Sequence, residues 1–173
     1  MKYNFPYALE AVLKHEGGWS KNPRDRGGAT NYGVTLQTFS LFLGRQATEA
    51  ELKVITQPQV AAIYGTRYWA ALRCDDLPSG LDYAVFDMGV NSGVGRSARL
   101  LQGMVDAAPD GIIGPRTLEA VNAYIAEHGA KAAIETFCAK RQHYLEALTD
   151  FDVFGRGWTR RVKEVCEAAK GMA

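Results

Sequence analysis

The sequence predicts a mainly α-helical fold, α+β by class, with one small β-hairpin or ribbon near residues 25–35. Three observations lead there. Apolar residues recur at helical spacing through most of the chain, and two capping boxes mark helix starts at Thr48 and Thr56. One stretch, Trp19 to Thr35, is too rich in Gly, Asn, Asp and Pro to be helical. At 173 residues the chain is long enough to bury a hydrophobic core.

The first helix is expected from about Phe5 to Glu16, with Asn4 as cap and Pro6 in the first turn, where a missing N–H costs little. Leu9, Val12, Leu13 and Glu16 share one stripe, and Gly17-Gly18 ends the element. Ala29 to Thr35 suits a short hairpin. Thr35 then caps a helix running through Leu43. Thr48-x-x-Glu51 and Thr56-x-x-Gln59 open two more; the second has Pro58 in its first turn and carries Val60, Ile63, Tyr64 and Arg67 towards Tyr68-Trp69. Pro78-Ser79-Gly80 is a break, followed by a strongly apolar helix from Leu81 to about Val90. A joint at Gly89, Gly93 and Gly95 precedes a helix through Leu100 and Leu101. Asp110-Gly111 turns the chain, and Gly114-Pro115 starts a helix ending near Gly129. Ala130 to Leu148 is the longest helical pattern, and a last helix is expected after Gly155-Arg156-Gly157-Trp158. The nearest thing to a boundary is Leu77 to Gly80.

Composition narrows the function classes. Twenty basic against 19 acidic side chains leave a formal charge of +1, without the basic excess of a nucleic-acid-binding domain. The densest basic cluster, Arg160, Arg161 and Lys163, is interleaved with Glu164 and Glu167 and reads as a solvated helix face. Cys74, Cys138 and Cys166 are odd in number and widely spaced, which argues against a disulfide scaffold or a zinc site. Cys138 lies on an apolar face and reads as an inert core residue. No apolar run approaches a membrane span, and Glu10 and Lys14 interrupt the N-terminal apolar stretch, so it does not read as a signal peptide. The expected compartment of synthesis is a reducing cytoplasm.

The chemistry concentrates between residues 15 and 35. Glu16 is an acid on the inward stripe of a helix, at its C-terminal end, where the helix dipole and burial both disfavour the ionised form. A general acid needs that bias. Gly17 and Gly18 leave room beside it. Asp25 follows in a polar loop that keeps it ionised, and Thr30 stands at the start of the ribbon. A protonated Glu beside an ionised Asp is what glycoside hydrolysis requires, and a threonine hydroxyl can hold the water. Each residue alone has a plainer reading: a surface Glu, a turn Asp, a strand Thr. Their joint spacing carries the argument.

Glu16-x8-Asp25-x4-Thr30, followed by Tyr32-Gly33, resembles the Glu/Asp/Thr triad of phage-type lysozymes. GluGlyGlyTrp at 16–19 together with GlyGlyAlaThrAsnTyrGlyValThr at 27–35 resembles the catalytic segment of glycoside hydrolase family 108, the N-acetylmuramidases of bacteriophage endolysins. Trp19 stands where that family has Tyr, and Arg26 where it has Pro. The second half resembles the helical, peptidoglycan-binding segment that follows, through PheAspMetGlyValAsnSerGly at 86–93, LeuLeuGln at 100–102, AspGlyIleIleGlyProArgThr at 110–117 and GlyArgGlyTrpThrArgArg at 155–161.

The resemblance implies a lysozyme-like catalytic region over 1–85 and a wall-binding helical region over 86–173, expected in one globule. It implies hydrolysis of the β-1,4 bond between N-acetylmuramic acid and N-acetylglucosamine, with Glu16 as general acid, Asp25 stabilising the cationic transition state or orienting water, and Thr30 assisting. No metal or other cofactor is expected. The implied partners are peptidoglycan glycan strands, met by a monomer without membrane insertion. Release to the wall would depend on a separate holin-type protein. Trp19, Tyr32 and Trp69 are candidates for stacking on sugar rings, although core packing is the stronger reading of Trp69, as of Trp158. Asn91 would reach a sugar substituent or else cap its helix. A lytic transglycosylase and a non-catalytic wall-binding or phage structural module remain the alternatives, with a chitin-type substrate behind them.

Overall fold

Most helix signals in the sequence are met in the structure, a computed structural model that describes residues 4–21 and 28–173. Helix α1 spans Phe5–Glu16. The Asn4 carbonyl accepts the first helical bond, from the Ala8 N–H at 2.9 Å. The Asn4 amide donates to Ser79 Oγ and to Asp82 Oδ2. Strands β1 (Ser20–Lys21), β2 (Ala29–Asn31) and β3 (Val34–Thr35) form an antiparallel sheet in the order β1-β2-β3. The hairpin expectation thus holds for β2 and β3, and β1 adds a third strand.

Helix α2 (Leu36–Leu43) starts on Thr35, whose hydroxyl accepts from the Thr38 N–H, and stops at Gly44 in the left-handed region. Helices α3 (Glu49–Lys53) and α4 (Gln57–Tyr64) both begin with complete capping boxes, on Thr48 and Thr56. The chain continues from α4 as a π-helical segment, Gly65–Ala70, a widening that apolar periodicity does not announce. A 3₁₀ turn at Cys74–Asp76 precedes α5 (Leu81–Ser92), α6 (Val94–Met104), α7 (Pro115–His128), α8 (Ala130–Glu146) and α9 (Phe151–Met172). The fold is mainly α-helical with one small sheet.

The chain divides into two compact units. Leu9–Arg67 make up the smaller, whose buried apolar residues include Val12, Val34, Phe39, Leu52, Val60 and Ile63. The larger takes the residues up to Ala8 and those from Tyr68 onward. Its centre is α5, where every residue from Leu81 to Gly89 is buried and α6, α8 and α9 pack around.

One of those buried residues is Asp87. Arg161 of α9 grips it through Nε, 3.1 Å from both carboxylate oxygens, and through Nη2 at 2.9 Å from Oδ1. Arg141 of α8 brings Nη1 to 2.7 Å from Oδ2. Arg161 therefore does not belong to a solvated basic face: it is 9% exposed, and Asp87 spends its charge. Burial pushes the Asp87 carboxyl up, but the two guanidiniums outweigh it and hold it below the ordinary carboxylate range.

The C-terminal helices differ from the expectation. The longest helix is α9, with 22 residues against 17 in α8, and Gly155 and Gly157 lie inside it. Gly155 is buried, and a Cβ there would come within 2.8 Å of the Phe151 ring. The glycine is a packing position on the helix, with the cost of its freedom offset by burial of Arg161, Val162, Val165 and Ala169 farther along.

Asp87→Ala should cost about 3–5 kcal/mol, because two guanidiniums would be left buried without a counter-charge; urea denaturation measures it. In the wild type the Asp87 contribution is complete above the unfolded carboxyl value, about 3.9, and is lost as pH falls through the lower folded value. Denaturation midpoints between pH 7 and pH 2 should therefore fall less steeply in Asp87→Asn.

Candidate active site

Glu16 is the last residue of α1 and is half-buried. Gly17 takes the chain out of the helix with φ +73°, a left-handed conformation that glycine adopts without strain. Among the described residues, side chains built at Gly17 or Gly18 would meet nothing within 4 Å.

The turn joining β2 to β3 meets Glu16 from the other side. Asn31 pairs with Val34, leaving Tyr32 and Gly33 as a two-residue loop with φ +49° and +71°. Positive φ at both positions is the primed-turn geometry that matches strand twist in tight hairpins. A Cβ on Gly33 would lie 2.5 Å from the Tyr64 hydroxyl oxygen, 3.1 Å from Glu16 Oε2 and 3.3 Å from Glu16 Cβ. Only glycine lets the turn come this close. The Tyr64 hydroxyl donates to the Tyr32 carbonyl at 2.8 Å, fixing a turn whose first residue is strained.

Thr30 is half-buried at the centre of the sheet, paired with Ser20 on β1 and Thr35 on β3. Cross-strand partners share a face, so three hydroxyl residues stand in a row across it. Asn31, with the opposite alternation, is buried and donates to the carbonyls of Leu52 and Lys53 at 3.1 and 3.0 Å. Lys53 also places its ammonium 4.8 Å from the centre of the Trp19 ring, a cation–π contact that covers one face of the indole. Lys21 pairs with Glu49 at 2.8 Å, so α3 braces the sheet at several points.

Of the residues singled out from sequence, Glu16, Trp19, Thr30 and Tyr32 belong to the smaller unit, and Asp25 lies outside the described residues. Trp69 is a correction. It is 4% exposed, its ring is packed 5.3 Å from both Phe5 and Phe86, and its N–H donates to Asp75, so no face is left for a sugar. Asn91 belongs to the larger unit and does not cap its helix; its Oδ1 accepts from Arg141 Nη2 at 3.3 Å. Sequence reading passed over Tyr64, Ser20 and Lys53. A buried tyrosine needs a partner for its hydroxyl, which is the one signal Tyr64 offered; nothing local marks Lys53. Among the described residues no cluster of His, Cys, Asp or Glu could hold a metal ion, and no helix is long and apolar enough to cross a membrane.

This is an acid at a helix end, against a tight turn that joins two strands of a hydroxyl-bearing sheet. Residues 9–93 match the family described as glycosyl hydrolase 108, and residues 96–163 match one described as a predicted peptidoglycan domain. A solved structure of SagA from Brucella abortus is 39% identical, with the match covering 99% of this chain and 97% of that one at a TM-score of 0.86. No curated protein matches the chain.

Gly33→Ala should lower stability by about 1–3 kcal/mol, from positive φ and the collision with Tyr64 and Glu16. Tyr64→Phe, which removes the hydroxyl that bonds the turn, should cost about 1 kcal/mol. Urea denaturation of both variants checks the order.

Proposed function

The chain belongs to glycosyl hydrolase family 108, and from that premise we propose that it cleaves the β-1,4 bond between N-acetylmuramic acid and N-acetylglucosamine, with Glu16 as general acid. That it is a glycoside hydrolase acting on peptidoglycan follows from the family and the peptidoglycan domain. The observation that carries the residue assignment is the setting of Glu16. Its carboxyl ends a helix beside two glycines that meet nothing among the described residues, and is backed by a turn that only glycine allows so near.

In this reading Glu16 protonates the glycosidic oxygen as the bond to the sugar lengthens. Asp25 stabilises the oxocarbenium-like transition state or orients the water that completes it, and the Thr30 hydroxyl holds that water. Trp19 offers a sugar ring the face that Lys53 does not cover, and Tyr32 an aromatic edge beside the turn. Asn91, held by Arg141, reaches an N-acetyl or hydroxyl group. Residues 86–173 form the region that engages the wall, with 1–85 carrying the chemistry. The biological role proposed is that of an endolysin, a monomer stored in the host cytoplasm and admitted to the wall by a holin-type protein.

The test is digestion of purified peptidoglycan with product identification. Glu16→Gln should lose roughly 10²–10⁴-fold in rate with an unchanged circular dichroism spectrum, and Asp25→Ala should lose less, though substantially. Reducing muramic ends in the products support hydrolysis. Anhydro-muramic ends, with Asp25 dispensable, would move the reaction to the transglycosylase class. Near wild-type digestion by Glu16→Gln would remove the assignment.

A further inference from the structure

Helices α8 and α9 pack against each other, and their cross-links fix how. Lys170 Nζ lies 3.1 Å from Glu135 Oε1, and Gln142 Nε2 donates to Thr159 Oγ1 at 2.9 Å. As α8 advances from 135 to 142, α9 retreats from 170 to 159, so the pair is antiparallel. Cys138 and Cys166 fall between these two rungs in the same register. Both are free thiols. Both line one surface groove of about 280 Å³, which also holds Ala139, Val162 and Lys163.

We infer that Cys138 and Cys166 are a site for an intramolecular disulfide, formed by exchange with an external disulfide and clamping α8 to α9. The inference stands apart from the assignment of Glu16. Cys166 is half-buried and is the sulfur an oxidant reaches, whereas Cys138 is 4% exposed. Burial, and then the neighbouring Cys166, push the Cys138 thiol up, so it is the resolving and not the attacking group. The Cys166 thiolate attacks one sulfur of the external disulfide, forming a mixed disulfide and releasing one thiol. Cys138 then gives up its proton and attacks Cys166 Sγ, and the second external thiolate leaves and takes up a proton. One external disulfide is reduced to two thiols, and two protein thiols are oxidised to one bond.

The experiment treats the folded full-length protein with oxidised glutathione, then denatures and alkylates it for intact mass and peptide mapping. Untreated protein should show three alkylatable cysteines. Treated protein should show one, Cys74, with peptides containing Cys138 and Cys166 joined and two hydrogens lost. Melting should rise by roughly 5–10 °C on treatment. Cys138→Ala should stop at a glutathione adduct on Cys166 and show no such rise. A wild-type protein that keeps three thiols, stops at the mixed disulfide or links Cys74 would overturn the site. A 138–166 bond that leaves melting unchanged would overturn the clamp.

Discussion

Asp87 carries a charge that the interior of the larger unit would not accept alone. It is fully buried on a helix surrounded by other helices, and it remains ionised because two guanidiniums, delivered by α8 and α9, converge on one carboxylate. Desolvating three charges offsets most of their mutual attraction, so the cluster adds little net stability over an apolar core. Its effect is on geometry. Arg141 reaches both Asp87 and Asn91, one turn apart on α5, and Arg161 approaches the same carboxylate from α9. A helix shifted by one turn would strand a charge in the core, so few packings of α5, α8 and α9 remain open to the chain.

The smaller unit reaches definition by other means. Its sheet has two or three residues per strand, and such a ribbon is not stable by itself. It is fastened from outside. Asn31 bonds the end of α3, Lys21 pairs with Glu49, Lys53 covers Trp19, and the Tyr64 hydroxyl pins the turn. Glu16 thus sits beside a turn pinned by Tyr64, in a unit whose sheet and Trp19 the other contacts tie to α3. The general-acid role proposed for Glu16 benefits from that arrangement, since misplacement by an ångström costs rate and a fixed dipole environment needs no rearrangement during reaction.

Much of this was legible locally. Helix limits at Glu16, Thr35, Thr48, Thr56 and Pro115 follow from caps, glycines and prolines that act within a few residues of their own position. The hairpin was legible through the stretch Ala29 to Thr35, and Glu16 through its place at a helix end. What escaped depends on partners distant in sequence. Gly155 resembles a helix break until the Phe151 ring fills the space a side chain would need. Arg161 resembles a surface cation until Asp87, 74 residues away, is brought to it. Trp69 offers the same indole to a sugar or to a core, and the choice belongs to Phe5 and Phe86. Tyr64 was visible only as an apolar helix residue, because its hydroxyl acts on a carbonyl 32 positions earlier.

If Tyr32 contacts the sugar as proposed, it sets stability and activity against each other at a single position. Its backbone sits where asparagine or glycine would be comfortable and an aromatic residue is not. Selection for thermal resistance alone would favour exchanging it, at a gain of about 1 kcal/mol, and would discard the turn's aromatic ring in doing so. Among related chains, those shaped by long exposure to heat or proteases should relax this turn first. Those shaped by speed of wall digestion should keep the uncomfortable tyrosine, so the identity of one turn residue becomes a readable record of which pressure acted.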